Sequence, residues 1–222
     1  MSKNLAIVLS SLTIAACGGT ADQARVRVLH ASPDAPAVDV LLDGGKVVSG
    51  APFKTASSYL KVDAGSRKIE VRAAGGTADV ISANVPFSKN TDTTVVAANK
   101  VASIEPLVLA DDNTPPASGK VKVRVVHGAP SAPAVDVYVT APGASLTSAT
   151  PTLSNVPFKG VSAYLPVDAG SYQVRVTVAG TKTVAIDSGK VDLAAGQIRT
   201  IVAVDNSGGG SPFGAVILAD LN

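Results

Sequence analysis

Apolar and polar residues alternate through much of the chain beyond residue 24. Val26 and Val28 alternate with Arg25 and Arg27. Ile69 and Val71 alternate with Lys68, Glu70 and Arg72. Val174, Val176 and Val178 alternate with Gln173, Arg175 and Thr177. A period of two built on β-branched residues predicts half-buried strands, one face toward a core and one toward water. Asp43-Gly44-Gly45 and Asp63-Ala64-Gly65 read as the turns between them. Beyond residue 16 no stretch carries a convincing 3.6-residue period. Short strands with regular turns predict an all-β chain built of β-sandwiches.

The pattern occurs twice. Arg25–Val40 reads RVRVLHASPDAPAVDV and Lys122–Val137 reads KVRVVHGAPSAPAVDV. Pro52-Phe53-Lys54 recurs as Pro157-Phe158-Lys159, and Tyr59-Leu60-Lys61-Val62-Asp63-Ala64-Gly65-Ser66 recurs as Tyr164-Leu165-Pro166-Val167-Asp168-Ala169-Gly170-Ser171. Both copies end alike, in Leu109-Ala110-Asp111 and Leu218-Ala219-Asp220. The expected organisation is one sandwich over 25–111, a linker over 112–119 and a second sandwich over 120–222. Pro115 and Pro116 predict that the linker is an extended, semi-stiff spacer.

Residues 1–16, MSKNLAIVLSSLTIAA, read as a signal peptide: Lys3 supplies the positive end and Leu5–Ala16 a short apolar run. That run is too short to cross a hydrocarbon core of about 30 Å. The single cysteine follows at once, in Ile14-Ala15-Ala16-Cys17-Gly18. This segment resembles the lipobox of bacterial lipoproteins. The resemblance implies cleavage before Cys17, lipid on Cys17, a membrane-anchored tether over 17–24, and residence in the cell envelope. Gly18 stands where an Asp usually retains Gram-negative lipoproteins at the inner membrane, so the outer membrane is expected if the organism has one. Two or three acyl chains anchor tightly, where one gives only marginal binding. Two bodies in tandem on such a tether are expected to reach about 70–80 Å from the lipid.

The string V-R-V-x-H-x-x-P-x-A-P-x-V-D-V, followed by P-F and by Y-L-x-V-x-A-G, resembles the bacterial domain of unknown function 4397. The resemblance covers nearly all of the chain after the tether, twice. It implies secreted or surface-attached proteins, often repeated, with no established activity. The Tyr-Leu segment is also similar to transthyretin-like and carboxypeptidase-associated sandwiches. The expected fold is therefore two tandem immunoglobulin-like or transthyretin-like sandwiches, with the strand order left open.

Composition narrows the chemistry. Nineteen Lys and Arg against seventeen Asp and Glu give a formal charge of +2 without a basic run, so no nucleic-acid footprint is present. His30 and His127 are the whole histidine inventory. Counting by twos from Val26 and Val28 places His30 inward at a strand end, and Val123 and Val125 do the same for His127. Two readings stand side by side: a ligand or metal residue at the rim, or a half-buried imidazole that holds the following Pro-rich loop through backbone or through Asp39 and Asp136. Asp39 and Asp136 are expected to face outward or across to a neighbouring strand, pairing with Arg27 and Arg124. Tyr59 and Tyr164 are expected to act as tyrosine corners, with hydroxyls bonded to backbone.

A His30, Ser32, Asp34 triad is not reproduced in the second copy, which has Ala129 and Ser131 at the latter two places. No G-x-S-x-G elbow occurs. One histidine per copy is too few for zinc. Asp34, Asp39 and Asp43 lack calcium-loop spacing, and Asp43 becomes Thr140. Ser207-Gly208-Gly209-Gly210-Ser211 lacks the Lys of a phosphate-binding loop and is expected to be a flexible hairpin tip. No catalytic residue, metal or cofactor is expected. The expected function is a non-catalytic envelope module that contacts protein or glycan. The alternative is a small-molecule or metal-ion binder using the His/Asp rim of each copy.

Overall fold

A computed structural model describes residues 22–220. The signal peptide, Cys17 and most of the tether lie outside these residues. The first copy holds β1 (Gln23–His30), β2 (Val38–Leu42), β3 (Gly45–Ala51), β4 (Leu60–Asp63), β5 (Gly65–Ala73), β6 (Asp79–Phe87), β7 (Asp92–Ala98) and β8 (Glu105–Asp111). The second holds β9 (Lys120–His127), β10 (Val135–Thr140), β11 (Leu153–Val156), β12 (Leu165–Asp168), β13 (Gly170–Val178), β14 (Val184–Leu193), β15 (Ile198–Val204) and β16 (Gly214–Ala219). Among the described residues the one helical element is a 3-10 turn at Val101–Ser103.

Each copy is a sandwich of two four-stranded sheets, and the orders match strand for strand. The first copy pairs β4-β1-β7-β8 with β3-β2-β5-β6, and the second pairs β12-β9-β15-β16 with β11-β10-β13-β14. β1 runs parallel to β7 and β9 parallel to β15; all other neighbours are antiparallel. This four-plus-four order is not the A-B-E-D over C-F-G order of immunoglobulin constant domains.

Local chemistry explains the one large difference in connection. Between β2 and β3, Asp43 (φ 48°) and Gly44 (φ 80°) both adopt positive φ, the requirement of a tight primed turn. In the second copy that turn is replaced by a longer loop over 141–152.

Among the described residues, three apolar clusters hold the fold together. Val26, Val28, Val38, Val40, Ile69 and Phe87 belong to the core between the sheets of the first copy. Val125, Val135, Val137 and Val176 form a smaller one in the second. The third lies between the copies: Leu29, Ala31, Val96, Ala98 and Leu109 meet Val126, Val202, Val204 and Leu218. The sheets that contain β1 and β9 are thus covered on both sides, and every residue of β7 is buried. Sheets covered on both faces lose the simple in-out alternation.

This overturns two expectations. Arg27, assigned to the solvent face, is 3% exposed. The two sandwiches do not stand end to end as spaced bodies, but pack sheet against sheet across a shared core. Leu29 is fully buried in that seam, so Leu29→Ala is expected to cost about 2–5 kcal/mol. Urea unfolding followed by circular dichroism should show one transition, with a lowered midpoint in the variant. Two separate transitions in the wild type, or an unmoved midpoint, would contradict a shared core.

Candidate functional site

His30 ends β1 and His127 ends β9, and both are 1% exposed. The Ser32 amide donates to His30 Nδ1 at 3.4 Å, which leaves Nε2 to donate to the Pro36 carbonyl at 3.1 Å. At His127 the Ala129 amide donates to Nδ1 at 3.3 Å and Nε2 meets the Pro133 carbonyl at 3.0 Å. Each ring stands edge-on to a phenylalanine, Phe53 at 6.1 Å and Phe158 at 6.2 Å. Both imidazoles therefore clamp the Pro-rich loop that follows them. Burial lowers the His30 pKa below its ordinary 6.5, against the weaker opposing pull of the Pro36 carbonyl. The neutral ring suits the fold, so its contribution to stability is present above pH 6.5 and is lost as pH falls through the lower folded value.

Asp39 and Asp136 do not meet Arg27 and Arg124, and neither faces water: they are 3% and 6% exposed. Asp39 accepts from Lys46 Nζ at 2.6 Å and from the amides of Gly50 at 2.8 Å and Gly75 at 3.2 Å. These donors, Lys46 first, lower its pKa to about 2. Its contribution is present above the ordinary carboxylate value and is lost as pH falls toward about 2. Asp136 accepts from the amides of Asn155 at 2.7 Å and Gly180 at 2.9 Å. Each carboxylate ties its own strand to the neighbouring strand on one side and to the hairpin beyond the other. A rim built of His30 with Asp39, or His127 with Asp136, thus finds its members already engaged within the chain. Among the described residues no three His, Cys, Asp or Glu side chains converge as a metal-binding group.

Tyr59 and Tyr164 correct the expectation of a backbone bond. The Tyr59 hydroxyl donates to Asp111 Oδ2 at 2.7 Å, and the Tyr164 hydroxyl to Asp220 Oδ2 at 3.1 Å. Burial raises both pKa values above the ordinary 10. The guanidinium of Arg27 lies 4.6 Å over the Tyr59 ring, and that of Arg124 4.6 Å over the Tyr164 ring.

These contacts open onto a cluster that the sequence reading missed. Arg27 of the first copy binds Asp220 of the second at 2.5 Å and the Ala219 carbonyl at 2.9 Å. Arg124 of the second copy binds Asp111 of the first at 2.5 Å and the Ala110 carbonyl at 2.8 Å. Thr94 and Thr200 complete the set: each accepts from the arginine of its own copy and donates to the aspartate of its own copy, at 2.6 Å and 2.8 Å. Both arginine side chains are 3% exposed and both aspartates 0%. The contact is reciprocal, as in an isologous dimer, but it lies within one chain. Every carboxylate oxygen has a donor: Arg124, Tyr59 and Thr94 at Asp111, and Arg27, Tyr164 and Thr200 at Asp220. With its charges balanced and its acceptors filled, the cluster acts as a seam.

The glycine tip is pinned. The Gly208 amide donates to the Pro33 carbonyl of the first copy at 2.8 Å, and Asp205 accepts from Ser131 at 3.3 Å and from Gly210 at 3.1 Å. Its position beside the first Pro-rich loop makes it part of the contact between copies.

The architecture is a duplicated eight-stranded sandwich fused along one sheet of each copy. Residues 24–138 and 141–222 match the family described as "Domain of unknown function (DUF4397)", and the chain belongs to that family. The first matched segment runs through the linker and into β10, so its end does not follow the structural division. A search of curated proteins finds no match. Among solved structures, the Bacillus anthracis TIE protein is 11% identical over 82% of this chain, with a TM-score of 0.27. A leucine-rich repeat protein from Bacteroides thetaiotaomicron is 14% identical over 84% of the chain, with a TM-score of 0.21. The carbohydrate-binding module CBMbc (family CBM26) of Eubacterium rectale Amy13K, solved in complex with maltoheptaose, is 10% identical over 90%, with a TM-score of 0.26. The chain spans 34%, 26% and 98% of these three. Such distant likeness says nothing about what this chain binds.

Replacing one member of a buried ion pair strands the other, at a cost of about 3–5 kcal/mol. Asp111→Asn, which keeps the shape, is expected to destabilise by that order in urea unfolding. A change below about 1 kcal/mol would show that the seam does not depend on the pair.

Proposed function

We propose that the chain is a non-catalytic module of the cell envelope, held to a membrane by lipid on Cys17, that contacts envelope protein or glycan. The observation that carries the reading is the use made of its polar residues. In both copies the histidine clamps a loop, the internal aspartate ties strands, and the tyrosine, arginine and terminal aspartate join the copies. These residues serve architecture, and what is left for contact is loops and sheet edges. Two copies locked as one body suit a presenting scaffold better than a flexible spacer.

The tether supports a short reach. Six peptide units separate Cys17 from the start of β1 at Gln23, at most about 20 Å fully extended. The body is then held close to the lipid surface. The lipobox stands on the residues Ile14-Ala15-Ala16-Cys17 alone. In the source organism, the wild-type protein is expected in the membrane fraction with acyl mass on Cys17, and Cys17→Ser in the soluble fraction. Equal partition of the two would overturn the anchor. The contact role is tested by surface plasmon resonance of the full chain against purified envelope polysaccharide and solubilised envelope proteins; no saturable response would overturn it.

A further inference from the structure

The two copies share topology but not interior packing, and the difference is localised. Six apolar positions in the first copy are closed: Val62 (5% exposed), Ile69 (1%), Ile81 (4%), Val85 (2%), Phe87 (2%) and Val95 (2%). Strand register matches them to Val167, Val174, Ile186, Val191, Leu193 and Ile201, each of which is only half-buried. Two replacements remove volume, Phe87 to Leu193 and Ile69 to Val174, and one adds it, Val95 to Ile201. β14 also carries a register shift at Gly189 (φ 61°), an extra residue facing β13. A cavity of about 380 Å³ lies between the sheets of the second copy, lined by those six residues. Ile217 of β16, which also lines it, is 51% exposed.

Protein interiors are close-packed, with few voids larger than a water molecule. A space of this size, almost wholly apolar, falls in the range of ligand pockets rather than packing faults. A second change occurs at the same place. The cavity is lined by Arg199, where the first copy has Thr93. The Arg199 guanidinium donates to the Ile198 carbonyl at 2.9 Å, and among the described residues no carboxylate lies within ion-pair distance of it. An apolar cavity and a guanidinium with no carboxylate in ion-pair distance occur together in one copy and are both missing from its twin; Asp192, which also lines the cavity, is engaged by Ser171 and Lys190.

We propose that the space between the sheets of the second copy binds a straight-chain carboxylate, with the alkyl chain between β9, β15, β13 and β14 and the carboxylate on Arg199. An alkyl chain suits a space walled by branched aliphatic side chains from two facing sheets. A carboxylate head matches the planar fork of a guanidinium. The site is distinct from the His30 and His127 positions and independent of the envelope reading above.

The test uses the full chain, with methyl groups of Val, Leu and Ile labelled for NMR, titrated with dodecanoate and separately with 1-dodecanol. Saturable shifts are expected at Val174, Ile186 and Ile201, with Ile69, Ile81 and Val95 of the first copy unmoved. Arg199→Gln is expected to weaken dodecanoate at least about tenfold while leaving dodecanol binding unchanged. The paired change Val174→Ile and Leu193→Phe, which restores the first copy's residues and narrows the space, is expected to weaken binding of both. Absence of saturable shifts, or shifts spread equally over both copies, overturns the site. Equal loss of both probes in Arg199→Gln, or no loss of dodecanoate, overturns the assignment of the head group. Should the filled variant fail to fold, Arg199→Gln with the two probes still decides.

Discussion

A guanidinium buried between two sheets must find an anion there or the fold fails, and here the anion comes from the other copy. Moving an ion out of water costs several kcal/mol even after relaxation. Arg27 and Arg124 sit in the middle of strands whose both faces are covered, so neither can reach solvent. The carboxylates that neutralise them come from the opposite copy, Asp111 at the end of β8 and Asp220 just after β16. Asp220 therefore cannot serve Arg27 unless the second sandwich is complete, nor Asp111 serve Arg124 unless the first is. Around the ion pairs the threonine and tyrosine hydroxyls fill the remaining acceptor sites. The seam's apolar part, Leu29 and Val96 against Val126 and Val202, supplies attraction without orientation. The charged part supplies orientation, because like-charge alternatives place two guanidiniums or two carboxylates together.

That constraint organises the rest. Each arginine-bearing strand must be central, with one neighbour to present the threonine and another beyond it to present the aspartate. The observed orders, β1-β7-β8 and β9-β15-β16, do this in both copies. The far sheets are left free of the seam and can diverge. They have: the first copy turns tightly at Asp43-Gly44, while the second carries a longer loop and a looser interior. Locking on one side thus leaves the far sheets free to differ between the copies.

Much of this was legible in the residues. The period-two valines gave strands, and the repeated segments gave two copies. The Pro-rich loops after His30 and His127 pointed to loop anchoring as one of two readings, and the imidazoles do hold those loops. What misled was the assumption that a polar residue on a strand faces water. Arg25 and Arg27 look alike in sequence, yet Arg25 pairs with Asp92 at a 47% exposed edge of the seam while Arg27 lies inside it. The signal was present in the matched endings Leu109-Ala110-Asp111 and Leu218-Ala219-Asp220. A buried partner for each arginine had to come from somewhere, and these were the acids repeated with it. Tyr59 and Tyr164 were misassigned for the same reason, since their hydroxyl partners stand more than fifty residues away. The cavity was not legible at all. Its walls carry the same alternation of apolar residues as the closed first copy, so nothing in the strand pattern marks it.

The joining of the copies rests on their exchange of charge, and a double-mutant cycle on Arg27 and Asp220 measures it most directly. Urea unfolding of wild type, Arg27→Met, Asp220→Leu and the double variant gives the coupling without assigning either single loss. Large single losses that shrink markedly in the double variant, with a coupling of about 1–3 kcal/mol, are the result this structure predicts. Single losses that simply add, with a coupling near zero, would mean that the two residues do not meet and that the copies are not joined in this way.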